Sequence, residues 1–343
     1  MPKTKRWSGV FDDTPRSHAY EALTPDVVLD ALSDLGLAVD GRLTALSSYE
    51  NRVYQVMLDD NSSVVAKFYR PERWTQAQIL EEHSFAAELM ADEVPLVGPL
   101  VLAGQTLHHA HGFAFSVSPR RGGRMPELDD GEVLEWIGRF IARIHNVGAK
   151  QDFASRPTLN VQTFAIESRD WLMAHQTIPL DQQTEWLAIC NQAIDIASEK
   201  FAAHLARNIR LHGDCHPGNI LWTPTELANG GPHFVDLDDA RMGPAIQDLW
   251  MLLSGERRQQ TQQLSMLLDG YEQLRELNRN ELALIEPLRT LRLIHYSAWL
   301  ARRKDDPAFA QHFSWFGSSD YWAGQTHMLI EQCEAMQEEP LYV

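Results

Sequence analysis

The chain has 343 residues, 44% hydrophobic and 22% charged, an ordinary globular balance that excludes an intrinsically disordered chain. Its 30 Lys and Arg against 47 Asp and Glu give a net charge of −17, which excludes a broad nucleic-acid surface and leaves room only for a local basic site able to hold a small anion. At about 150 residues per domain the length implies two domains or lobes, enough to bury a core without a disulfide or metal. The three cysteines, Cys190, Cys215 and Cys333, are widely spaced, as in a reducing compartment. No apolar run reaches the ~18 residues of a membrane span. The basic N-terminal stretch lacks the apolar core of a secretory signal. A cytoplasmic protein with neither membrane nor nucleic-acid partner is therefore expected.

Residues 1–20 read as an extension. Thr24, Pro25 and Asp26 predict the capped start of an amphipathic helix carrying Val27, Val28, Leu29, Leu32 and Leu35, bounded by Gly36. Residues 52–57 and 63–69 alternate around Asp59, Asp60 and Asn61 and predict a β-hairpin. A helix is expected from Thr75 to Asp92, then strands at 100–102 and 112–117. The glycine break from Arg120 to Arg124 predicts a hinge. Beyond it Leu134, Ile137, Ile141 and Ile144 recur at helical spacing. Strand-like pieces at 209–211 and 234–236 interrupt, and 244–337 is nearly all helix. The expected class is α+β and bilobal, with a small β-rich N-lobe over 21–118, a larger helical C-lobe over 119–343, and a cleft between them.

The string His212-Gly213-Asp214-Cys215-His216-Pro217-Gly218-Asn219 is the richest in chemistry. A hairpin over 220–235 returns the chain to Asp236, and adjacent strands lie about 5 Å apart, so Asn219 and Asp236 face one site. Asp214 offers a carboxylate beside a hydroxyl nucleophile. The Asn219 amide and Asp236 carboxylate offer hard oxygen ligands for Mg²⁺. The Asp-x-x-x-x-Asn spacing is that of a kinase catalytic loop. Asp214 and Asp236 are thus the catalytic candidates, and Asn219 and Asp236 the metal ligands. Two other readings stay open: simple loop capping by Asp214 and Asn219, and a metallohydrolase site of His212, Asp214, His216, Asp236 and Asp238.

Strand alternation puts Val65, Lys67 and Tyr69 on one face, where a half-buried ammonium needs an anion such as a nucleotide phosphate. Glu82 falls on the apolar stripe of Ile79, Phe85 and Leu89 and is the natural partner for Lys67; the alternative is a solvated margin. The loop over 46–54 has no Gly-x-Gly-x-x-Gly, so backbone amides with the Ser47 or Ser48 hydroxyl are the candidates for cradling phosphate, against a plain turn. The backbone of 115–119 is a candidate for pairing with adenine. Cys215 suggests a redox thiol only as a minority reading. His108, His109 and His111 read as a solvated turn, and Glu127, Asp129, Asp130 and Glu132 as a helix start.

These residues, with Gly243-Pro244-Ala245-Ile246-Gln247-Asp248-Leu249, resemble the aminoglycoside phosphotransferase and choline kinase superfamily. The stretches 47–55, 65–74, 78–83, 234–241 and 299–303 are similar to its bacterial stress-response Ser/Thr kinases. The resemblance spans about residues 21–340. It implies a protein-kinase-like fold and a monomeric, cytoplasmic, ATP- and Mg²⁺-dependent Ser/Thr protein kinase, itself a phosphoprotein. It implies Asp214 as base, Asn219 and Asp236 as Mg²⁺ ligands, Lys67 with Glu82 on the nucleotide, Ser48 in the nucleotide loop, and Asp248 bracing the catalytic loop. Gly213 replaces the Arg of His-Arg-Asp, and only eleven residues separate Asp236 from Asp248. On its own that shortness favours a small-molecule alcohol or amine kinase; the resemblance favours protein substrates. A nucleotide-binding regulator without turnover is the third reading.

Overall fold

The structure, a computed structural model, describes residues 20–204 and 206–343; apart from Tyr20, the expected extension lies outside the described residues. Helix α1 (Pro25–Ser33) starts where expected: the Thr24 hydroxyl accepts from Val27 N–H and Pro25 occupies the first turn. Strands β1 (Val39–Ala45), β2 (Arg52–Leu58) and β3 (Ser63–Phe68) follow, then α2 (Gln76–Ala91), β4 (His108–Ala110) and β5 (Phe113–Pro119). They form one antiparallel sheet in the order β1-β2-β3-β5-β4. The period of two divides β3 cleanly. Val64, Ala66 and Phe68 pack with Val56, Phe115 and Val117 onto Val28 and Leu32 of α1, while Val65 and Lys67 face the other way.

Helix α2 is closed by a Thr75–Gln78 capping box. Its Phe85, Ala86 and Leu89 join the core of the large lobe rather than that of the sheet. Glu81 accepts from the backbone amides of Ala154, Ser155 and Arg156 at 2.6–3.0 Å, and Glu88 pairs with Arg210 at 2.7 Å. The helix thus bridges the lobes, since its Ile79 packs with Tyr69 and Leu107 and its His83 contacts Tyr69 and Thr106 of the small lobe.

The strand expected at 100–102 does not form. Leu100 N–H reaches Val117 O, Leu102 bridges only Gln105, and Ala103 and Gly104, both at positive φ, turn the chain back. The strand that pairs with β5 is His108–Ala110, so His108 and His109 lie in β4, with His108 buried, and only His111 sits in the turn. The expected hinge is a tethered crossover, since Arg124 and Trp222 exchange backbone hydrogen bonds of 2.9 and 2.7 Å.

The large lobe contains α3 (Gly131–Gly148), α4 (Glu167–Ala174), α5 (Leu180–Ala203), β6 (Ile209–Leu211), β7 (Ile220–Thr223), β8 (Gly231–Phe234), β9 (Arg241–Gly243), α6 (Ile246–Trp250), α7 (Arg257–Tyr271), α8 (Ile285–Ala301), α9 (Phe309–His312) and α10 (Ser319–Ala335). Asp130 caps α3, whose Leu134, Ile137, Ile141 and Ile144 are fully buried. β7 and β8 form the expected hairpin, and β6 pairs with β9. The result is a bilobal α+β fold with a β-rich small lobe and a helical large lobe. Among the described residues no helix is long and apolar enough to cross a membrane.

Candidate active site

A cleft of about 800 Å³ lies between the exposed face of β3 and the loop after β6, and Ser48, Lys67, Glu82, Asp214, Asn219 and Asp236 all line it. Ser116, Ser118 and Pro119 of β5 line it where the chain passes between lobes.

The loop is built on a buried carboxylate. Asp248 of α6, wholly inaccessible, accepts from the N–H groups of His212 (2.9 Å) and Gly213 (2.8 Å) and contacts His145 Nε2 at 3.1 Å. Burial keeps the His145 pKa below its ordinary value, so the ring is neutral; with Nε2 donating to Asp248, Nδ1 accepts from Tyr271 Oη at 2.9 Å. Gly213 is at φ +84, and a Cβ there would lie 2.2 Å from Asp239 O. That clash explains why no Arg stands before Asp214.

After Asp214 the chain makes a short 3₁₀ turn (Pro217–Asn219). Asn219 Nδ2 donates to Asp214 O at 2.9 Å, so its amide oxygen, a hard donor, makes no hydrogen bond among the described residues. Val235 N–H donates to Asn219 O at 3.0 Å and so ties the two strand ends together. Asp236 follows in the left-handed region, φ 62 and ψ 70, an uncommon conformation for a residue with a Cβ. An amide oxygen and a carboxylate at one cleft wall fit Mg²⁺ in ligand type.

Lys67 reaches the cleft as expected, but its partners differ from expectation. Lys67 Nζ closes on Asp236 Oδ1 (2.8 Å) and Asp238 Oδ1 (3.3 Å), while the Glu82 carboxylate lies 3.9 Å from Arg156. The acid cluster after β8 offers two carboxylates to the ammonium where α2 offers one. Glu82 is buried as expected, with Oε2 lacking a hydrogen bond among the described residues. Burial pushes its carboxyl up to about 7, an effect that Lys67 only partly offsets.

Sequence reasoning missed the cations that hold this acid cluster. Arg73 spans Asp238 and Asp239, and Arg156 donates to the carbonyls of Asp238, Ala240 and Gln78. Burial raises the Asp238 carboxyl, but Arg73 and Lys67 more than reverse it and hold it below the ordinary range. The available signal was the acid cluster itself: Asp236, Asp238 and Asp239 next to buried strands require buried cations. The loop before β2 is equally well anchored. Glu50 contacts Arg303 (2.7 Å), Arg70 (3.2 Å) and the Trp299 indole N–H (2.9 Å), and Tyr49 packs edge-on to Phe313 at 4.9 Å.

On the α8 side of the cleft Asp214 meets Arg292 at 2.8 Å and His216 at 3.5 Å. Burial pushes its carboxyl up, but these neighbours outweigh burial and hold it below the usual range. The metallohydrolase alternative finds no support. His212 Nε2 is bonded to Val235 O, Asp238 is engaged by Lys67 and Arg73, and no group of three or more His, Cys, Asp or Glu among the described residues is arranged to hold a metal. Cys215 is fully buried and its thiol is pushed well up by burial, the opposite of a reactive cysteine.

The model of the phosphotransferase enzyme family matches residues 42–284. Stress response kinase A of Escherichia coli (strain K12) is 47% identical over 322 residues, covering 94% of this chain and 96% of that protein. The serine/threonine protein kinase RdoA of Salmonella typhimurium is 45% identical over the same length and coverage. Among solved structures, amicoumacin kinase hAmiN superposes with a TM-score of 0.67 at 20% identity, covering 94% of this chain and 96% of that one. A microcompartment-associated aminopropanol kinase gives 0.69 at 18%, covering 91% and 98%. At those identities the two structures establish the shared fold.

Proposed function

The chain belongs to the phosphotransferase enzyme family and is at that level an ATP-dependent phosphotransferase; from this premise we propose that it is a Mg²⁺-dependent Ser/Thr protein kinase of a bacterial stress response. The convergence of Lys67, Asp214, Asn219 and Asp236 on one cleft carries the chemistry. The name of the 47% identical relative supports the stress response, and that of the 45% identical serine/threonine protein kinase RdoA supports the protein substrate.

In this reading Asp214 orients the acceptor hydroxyl and takes its proton as the new O–P bond forms and the bond to the ADP oxygen breaks. Lys67 steers the phosphates, with the buried Glu82 carboxyl behind it, and Ser48 contacts them from the β1–β2 loop. Asn219 and Asp236 hold Mg²⁺, which when bound neutralises phosphate charge. The enzyme works as a cytoplasmic monomer, with 21–118 as nucleotide lobe and 119–343 as catalytic lobe.

One observation favours a second reading, a kinase of small alcohols or amines. The chain between Asp236 and Asp248 is taken up by a 3₁₀ turn, the short β9 and the start of α6, with little left to form a peptide platform. Labelled ATP with Mg²⁺, offered to a protein lysate and to a metabolite panel, separates the two. Labelled protein is expected with wild type, and Asp214→Asn should reduce transfer by about 10²–10⁴-fold. Label in metabolites alone selects the second reading. Equal, negligible transfer by both proteins, with ATP still raising the melting temperature, leaves a non-catalytic nucleotide-binding regulator.

A further inference from the structure

Arg292 stands where an acceptor hydroxyl has to arrive. Asp214 Oδ1 is buried, makes no hydrogen bond among the described residues, and has Arg292 Nη1 2.8 Å away. The other oxygen, Oδ2, is 3.5 Å from both His216 Nε2 and Asn219 Nδ2. A general base must come within about 2.6–3.2 Å of the hydroxyl it serves. Nearest the base, one carboxylate oxygen is covered by a guanidinium and the other is flanked by two nitrogens.

This guanidinium differs from the other cations of the cleft. The side chains of Lys67, Arg73 and Arg241 are 16%, 13% and 8% exposed and are held by the Asp236–Asp239 cluster. Arg292 is 41% exposed and, among the described residues, is ion-paired with Asp214 alone. The wall around it is aromatic: Phe164 stacks on His295 at 4.3 Å, and Tyr296 on Trp299 at 5.7 Å. Burial pushes His295 down to about 3, so it adds no charge. The nearby acids Asp239 and Glu50 are neutralised by Arg73 with Arg241 and by Arg303 with Arg70. In a chain of net charge −17, the exposed side chain set against the base itself is a cation, while the exposed Asp236 of the same cleft is paired with Lys67.

We propose that Arg292 selects the acceptor: a hydroxyl carried next to an anionic group draws the guanidinium from Asp214 onto that group and so frees the base, whereas a neutral or cationic acceptor leaves it covered. An anionic acceptor exchanges one carboxylate partner of Arg292 for another, while a neutral one has to break the ion pair without replacement. The inference rests on Asp214 being the base. For a protein substrate it specifies Ser or Thr flanked by Asp or Glu. For a small substrate it specifies a hydroxy acid rather than an amino alcohol.

The test measures kcat and KM for the full chain with Mg²⁺ and ATP. The acceptors are three serine peptides differing only in Glu, Gln or Lys flanks, and a small-alcohol pair, glycerate and ethanolamine. Wild type is expected to favour the anionic member by about tenfold or more in kcat/KM. Arg292→Lys should keep that order, Arg292→Ala should level it, chiefly through the KM of the anionic acceptor, and Arg292→Glu should invert it. Thermal melts confirm that each variant is folded. A wild type indifferent to charge or favouring cations, or an Arg292→Ala that retains the anionic preference, overturns the proposal. Charge-ordered use of the alcohols with silent peptides upholds it and sinks the protein-kinase reading. Charge-blind labelling of peptides does the reverse, and no labelling in any arm removes both.

Discussion

The two walls of the cleft are built to different standards. The Lys67 wall is a closed lattice: Asp236, Asp238 and Asp239 are bound by Lys67, Arg73 and Arg241, Arg156 pins the carbonyls between them, and Glu50 ties the β1–β2 loop to Arg303. The Asp214 wall rests on the partly exposed Arg292 pair and a longer His216 contact, among aromatic rings. In the proposed reading the Lys67 wall meets the same triphosphate in every cycle and gains from rigidity. The Asp214 wall, which in that reading admits and releases the acceptor, gains from a contact that can be exchanged.

That contrast can be broken by mutation, most sharply with Arg73→Ala. It leaves Asp238 buried with one partner fewer and should cost about 3–5 kcal/mol in denaturant unfolding; a loss below about 1 kcal/mol would show that the lattice is not cooperative. Glu82→Gln is next. Its carboxyl sits near 7 in the fold against an ordinary 4.5, so between those pH values the folded chain holds the extra proton. Wild-type stability from this group therefore falls as pH rises from 4.5 to 7. At roughly 1.4 kcal/mol per pH unit, the glutamine variant should gain up to about 3 kcal/mol over wild type above neutrality, and the gap should close in acid. Parallel stability–pH curves for the two proteins would refute the buried, proton-holding carboxyl.

Gly213→Ala strains a positive φ and drives a Cβ into Asp239 O, at a cost of about 1–3 kcal/mol, with kcat falling as the loop shifts; unfolding and turnover measured together check this. The smallest effect belongs to the open wall. Arg292→Ala should change stability by under about 1 kcal/mol, as for other partly exposed ion pairs. If it destabilises as much as Arg73→Ala, the two walls are alike and the comparison fails.

Much of this was legible along the chain because its determinants are local. The Thr24 and Thr75 caps, the alternation in 63–69, the helical spacing from Leu134 to Ile144 and the turn between β7 and β8 each act over a few residues, and each element formed where expected. The 100–102 strand failed because three consecutive apolar residues do not specify a sheet edge; pairing with β5 was won by His108–Ala110, which lies one tight turn from it. Cys215 and Asp248 show the same limit for side chains. The sequence places a thiol and a carboxylate near the loop, and only burial makes one inert and the other its brace.

The sequence by itself determined which groups enter the cleft. A strand ending at Lys67, a loop spacing Asp214 from Asn219, and a hairpin returning to Asp236 leave those side chains little choice of place. Tertiary structure decided their partners. Lys67 settled on Asp236 and Asp238 rather than Glu82, Arg73 reached an acid cluster 165 residues away, and Arg292 came from α8 to cover Asp214. Ion pairing depends on distance and desolvation after packing, and neither is encoded in the spacing of residues along the chain.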